Sequence, residues 1–189
     1  MIERKSLESA LAALGATLSE RGFPVEIVVI GGSGLLLQGF IQRSTRDVDV
    51  VAIVMDGRLA TPTPLPEPLM EAARDVGRTY GLGDGWLNAG PALLYEFGLP
   101  DGLLDRCTTR TFDALTVHIA GRLDLIALKL YASTTVTRHD MDDLRSIRPS
   151  HRELLEVVPW VLAHEARRFR SELASLLEVL GIRDADSRI

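Results

Sequence analysis

The chain has 189 residues, a formal net charge of −5, 46% hydrophobic and 25% charged residues, and a single cysteine. That is enough chain for one sizeable core, or a core with a small helical appendage. The balance speaks against a nonspecific basic coat for nucleic acid, and the absence of an apolar run of about 18 residues speaks against a membrane span. Cys107 has no internal disulfide partner, and Met1–Lys5 leads into an amphipathic helix rather than an apolar signal segment. Both point to the reducing cytoplasm.

In chain order, residues 3–21 predict a helix, because Leu7, Leu11, Leu14 and Leu18 recur on one face. Gly22 and Pro24 end it. Residues 25–30 form an apolar run broken by Glu26, which predicts a buried strand. A second helix is expected to begin near Ser33 and cover Gly34 to Phe40. A second strand is expected over 47–54, a proline-rich loop over 60–68 and a helix over 69–80. Residues 86–112 carry little pattern. Residues 115–120 predict a third strand, then helices over 124–134 and 140–147, with Asp124 as an N-cap. Residues 150–180 read as helical, broken or kinked at Pro159. The composition turns from mixed α/β to all-helical near Gly121.

Gly31-Gly32-Ser33-Gly34 and Asp47-Val48-Asp49-Val50 carry the chemistry. Residues two apart on a strand project from the same face, so Asp47 and Asp49 are expected to point together. Two anions on an apolar strand repel and resist burial. A divalent cation with oxygen ligands, most simply Mg²⁺, compensates them. A glycine-rich turn at a helix N-terminus offers main-chain N–H groups to phosphate. Together these features suggest a nucleoside triphosphate (NTP) as substrate. The turn is not a Walker A loop, since no Gly-Lys-Ser/Thr follows.

These residues resemble the nucleotidyltransferase superfamily signature: Gly32-Ser33, a spacer over 34–46, then Asp47-Val48-Asp49-Val50. Leu128-Lys129-Leu130-Tyr131-Ala132-Ser133 and Arg138-His139-Asp140-Met141-Asp142-Asp143-Leu144 are similar to the later motifs of its AbiEii/MenT-like toxin branch. The resemblance implies an α/β fold: a small mixed sheet flanked by helices over residues 1–121, the nucleotidyltransferase core. Residues 122–189 would be a helical C-terminal lobe packed on it as one unit. It implies transfer of a nucleoside monophosphate to RNA, the tRNA 3′ end being favoured, and a cognate antitoxin protein as partner. Nucleotidylation of a protein, or a silent nucleotide-binding module of the same fold, are the alternatives.

On that resemblance Asp47 and Asp49 would hold Mg²⁺, Lys129 would neutralise the triphosphate, and Asp143 would align the acceptor or orient Lys129. Gly32, Ser33, Arg43, Thr45 and Asp140 would bind the nucleotide. The competing structural readings are an ordinary cap for Ser33, solvated charge for Arg43, a snorkelling helix side chain for Lys129 and an N-cap for Asp140. Thr45, expected on the face of Asp47, would block the site if phosphorylated. Many superfamily members carry a third carboxylate on a later strand. Here that strand's central polar residue is His118, with Asp113 before it and Asp124 after it. The four histidines make no metal set. Arg145, Arg148, Arg152, Arg167, Arg168 and Arg170 are interleaved with glutamates and read as a solvated face rather than an RNA surface.

Overall fold

Leucine spacing decides the first element. Leu7, Leu11, Leu14 and Leu18 are fully buried along one side of α1 (Arg4–Glu20). Each contributes on the order of 2 kcal/mol by leaving water. The computed structural model describes residues 1–135, 138–164 and 170–189. It divides into Met1–Gly121 and Arg122–Ile189.

The first unit is a mixed sheet with helices. Its strands are β1 (Val25–Ile30), β2 (Val48–Met55), β3 (Arg58–Ala60), β4 (Leu87–Asn88), β5 (Thr108–Phe112) and β6 (Leu115–Ile119). The order is β3-β2-β1-β6-β5, with β4 also beside β2. β1 runs parallel to β6 and antiparallel to β2. α1 packs on β5, β6 and α3 (Glu67–Tyr80), and α2 (Gly31–Gln38) on β1 and β2. Gly15 lets α1 approach the sheet, for a Cβ there would collide with the Phe112 carbonyl.

The register holds one irregularity. Val28 pairs with Ala52, but Val29 pairs with Val50. Val51 is therefore an extra residue on β2, a bulge that resets the alternation of side chains. Asp49 thereby comes opposite Ile30, the last residue of β1.

Several boundaries differ from expectation. α2 starts at Gly31, directly on the end of β1, and stops at Gln38, where Gly39 turns left-handed at φ 80°. β2 starts at Val48, so Asp47 stands one residue before the strand. β3 precedes the expected loop and closes a hairpin through Asp56 and Gly57, whose φ values of 50° and 72° suit a two-residue turn. The weakly patterned stretch holds β4, the short helix α4 (Ala92–Phe97) and β5.

The second unit comprises α5 (Arg122–Thr135), α6 (Arg138–Ile147), α7 (His151–His164) and α8 (Arg170–Val179). α5 is central, packing on the other three through residues that include Leu125, Ile126 and Leu130, all fully buried. Asp124 is not the cap of α5 but its third residue, 1% exposed, where a carboxylate favours the helix dipole. α7 runs through Pro159 without a break, anchored by buried Leu154, Val157, Val158 and Val161. Ser150 and Glu153 cap α7 reciprocally: the Ser150 N–H donates to Glu153 Oε2 at 2.7 Å, and the Glu153 N–H donates to Ser150 Oγ at 3.2 Å. Arg122 Nε donates to the same carboxylate at 2.6 Å, and its other nitrogens donate to the Ile147 and Arg148 carbonyls. Arg167 and Arg168 of the expected solvated face lie outside the described residues, as do Glu165 and the His139 side chain.

Candidate active site

The site begins where β1 becomes α2 with no intervening loop. Gly31 makes that turn at φ 66°, a left-handed conformation that L side chains rarely adopt. Space demands glycine as well, since a Cβ at Gly31 would collide with the Asp49 carboxylate. An acidic side chain therefore rests against bare backbone at the N-terminus of α2. The first N–H groups of a helix have no partner within the helix, and that end carries a partial positive charge.

Ser33 ties the two strands together. Its buried hydroxyl donates to the Ile30 carbonyl at 3.1 Å and accepts the Asp49 N–H at 3.4 Å. The hydroxyl is engaged in holding Asp49 in place, so any contact of this turn with phosphate falls to main-chain N–H groups. Thr45 is equally committed. It bridges to Ile2, with Thr45 N–H donating to the Ile2 carbonyl at 3.0 Å, and its hydroxyl donates to the Asp47 carbonyl at 3.2 Å. At 4% exposed, Thr45 presents almost no surface for phosphorylation in the folded chain.

Thr45 Oγ1 and Arg43 Nη2 lie 3.0 and 3.6 Å from where a Cβ on Gly32 would stand. The fold thus brings Gly31, Gly32, Ser33, Arg43, Thr45 and Asp49 together, with Asp47 adjoining in the chain. Glycine N–H groups and a guanidinium favour an anion, and the aspartates favour a cation. A metal-bound polyphosphate presents both charges. Among the described residues no group of three His, Cys, Asp or Glu side chains could hold a metal. Two carboxylates still suit Mg²⁺, which keeps several waters and takes phosphate oxygens as further ligands.

Within the first unit, neither Asp113 nor His118 joins this cluster. Asp113 lies in the β5–β6 turn, where Ala114 O accepts the Val25 N–H at the opposite end of β1. His118 pairs with Glu26 and Thr109 on the sheet face. Asn88 lies in the stretch of little pattern, where the sequence assigns no role. It stands beside Asp49 in the β2–β4 ladder, and its Oδ1 accepts the Gly90 N–H at 2.7 Å. The Asn-Ala-Gly-Pro run is turn chemistry visible in the sequence.

Lys129, Asp140 and Asp143 belong to the second unit and form a cluster of their own. Lys129 Nζ lies 2.6 Å from Asp140 Oδ1 and 2.8 Å from Asp143 Oδ2, joining α5 to α6. Their side chains are 13%, 14% and 1% exposed. Burial disfavours the ammonium, but hydrogen bonds and charge from Asp140 and Asp143 outweigh it and hold its pKa above the ordinary lysine value.

A family model described as a nucleotidyltransferase of unknown function (DUF6036) matches residues 6–166, and the chain belongs to that family. No curated protein and no solved structure matches it. A mixed sheet flanked by helices, with a helical C-terminal part, is consistent with the nucleotidyltransferase-like fold. No described helix is long and apolar enough to cross a membrane.

Proposed function

We propose that this nucleotidyltransferase-family chain moves a nucleoside monophosphate from an NTP to an RNA hydroxyl, the tRNA 3′ end being favoured. In this reading it is the toxin of a cytoplasmic toxin–antitoxin pair of the AbiEii/MenT-like branch. The acceptor and antitoxin come from the resemblance of the four motifs, and the compartment from the lone cysteine and the N-terminal segment. The chemistry is supported by one observation above others: the Asp49 carboxylate rests against Gly31 at the N-terminus of α2.

An acceptor hydroxyl oxygen attacks the α-phosphorus in line and gives up its proton to water, the bond from that phosphorus to the β-phosphate bridge breaks, and pyrophosphate leaves with the electron pair. Asp47 and Asp49 would hold Mg²⁺, which neutralises charge on the triphosphate and its leaving group. The α2 N-terminus, Gly32 and Arg43 would bind phosphate oxygens. Asp140 and Asp143 keep Lys129 protonated, the state that a role toward the triphosphate requires.

The test is label transfer from each α-labelled NTP, with Mg²⁺, to total tRNA or to a protein extract. Asp49→Asn should lower RNA labelling at least about a hundredfold, since the metal supplies several kcal/mol of charge stabilisation. Label on protein instead would move the acceptor to a polypeptide. NTP binding without label on either would make the chain a silent binding module and overturn the reading.

A further inference from the structure

A second group of reactive side chains lies on the sheet away from Asp49. Glu26 Oε2 is 2.7 Å from His118 Nε2, and His118 Nδ1 is 3.0 Å from Thr109 Oγ1. These residues come from β1, β6 and β5, and Thr109 is the in-register partner of His118. Glu26 and Thr109 are exposed, and the His118 side chain is 13% exposed.

Donor and acceptor rules set the proton positions. A carboxylate can only accept, so the Nε2 proton of His118 faces Glu26. In the neutral imidazole Nδ1 is then an acceptor and receives the Thr109 O–H. In that neutral tautomer the carboxylate orients the imidazole, and the imidazole accepts the hydroxyl proton. This is the logic by which an acid–base pair activates a hydroxyl nucleophile.

We propose that Thr109 is a self-acceptor for nucleotidyl transfer, its hydroxyl activated by His118 and Glu26. This rests on the nucleotidyl-transfer reading and names a second acceptor for the same donor site. Thr109 Oγ1 attacks the α-phosphorus of the NTP as its proton passes to His118 Nδ1. The phosphorus–oxygen bond to the β-phosphate breaks, pyrophosphate leaves, and Thr109 carries the nucleoside monophosphate through a phosphodiester. The imidazolium left behind keeps its Nε2 proton on Glu26. β1 and β6 separate β5 from β2, which at about 4.8 Å per strand sets Thr109 roughly 14 Å from the strand of Asp49. Reacting atoms must come within about 3–3.5 Å. The donor site is therefore that of a second copy of the chain.

The experiment incubates the full chain with Mg²⁺ and α-labelled NTPs, with and without total tRNA, and maps label by peptide mass spectrometry. Label is expected on Thr109, lost in Thr109→Val and kept in Thr109→Ser. In His118→Gln it should fall by about a hundredfold or more, the usual worth of a general base. A tagged Asp49→Asn chain should be labelled at Thr109 when mixed with wild-type chain and unlabelled alone. Labelled RNA with bare Thr109 overturns the self-acceptor and leaves the RNA reading standing. Labelled Thr109 with bare RNA supports it and overturns the RNA acceptor. Label insensitive to Thr109→Val or His118→Gln overturns the assignment, and no label anywhere overturns both readings.

Discussion

Gly31 concentrates two constraints in one residue. It adopts a left-handed φ, and it leaves room for the Asp49 carboxylate. Gly31→Ala is therefore expected to destabilise the chain by about 1–3 kcal/mol and to displace Asp49. Urea unfolding measures the first effect and label transfer the second. An unchanged midpoint with full activity would remove Gly31 from the site. Lys129 is the charged counterpart in the helical unit. Lys129→Met removes the ammonium held between Asp140 and Asp143, at an expected cost of about 3 kcal/mol. Its pKa is raised in the folded chain, so its contribution is complete below about pH 10.5 and is lost as pH rises above that value. An alkaline titration of α-helical circular dichroism should show the wild type losing stability there, and Lys129→Met losing less.

At the scale of elements, α1 meets the sheet through Gly15, which admits no Cβ without moving the Phe112 carbonyl. Gly15→Ala should destabilise the first unit by about 1–3 kcal/mol despite alanine's better helix propensity. A rise in stability on thermal unfolding would refute this packing. In the second unit, Arg122 and Ser150 lower the Glu153 pKa from 4.5 to about 2. A depressed carboxylate stabilises above its unfolded pKa, so this contribution is present above pH 4.5 and is lost as pH falls toward 2. Glu153→Gln should unfold at lower urea than wild type at pH 7, with the gap closing by pH 2. Local signals for these elements were partly legible. Leucine spacing places α1 and the apolar run places β1. The Ser150-His151-Arg152-Glu153 box and the Asp56-Gly57 turn are written in the chain just as plainly, but turn and cap chemistry is carried by single residues that periodicity overlooks. β4 and β5 were illegible because short strands gain their order from partners across the ladder.

At the scale of the molecule, a ligand that binds the folded chain raises its stability by mass action. Mg²⁺ with the preferred NTP at a hundredfold excess over Kd should add about 2.7 kcal/mol, and Asp49→Asn should abolish the gain. Equal gains in both chains would show that the triphosphate binds elsewhere. The sequence by itself determined the α/β class, the strand-to-helix glycine turn and the acidic strand that follows it. Those features depend on residues near one another in the chain, where side-chain periodicity and backbone freedom act directly. Only the tertiary structure decided that Ser33's hydroxyl is taken up by Ile30 and Asp49, that Thr45 is buried, and that Lys129 is held by two aspartates. It also decided that Glu26 meets His118 across a sequence separation of 92 residues. Strand pairing and burial set such contacts, and neither is written in the local pattern of either partner.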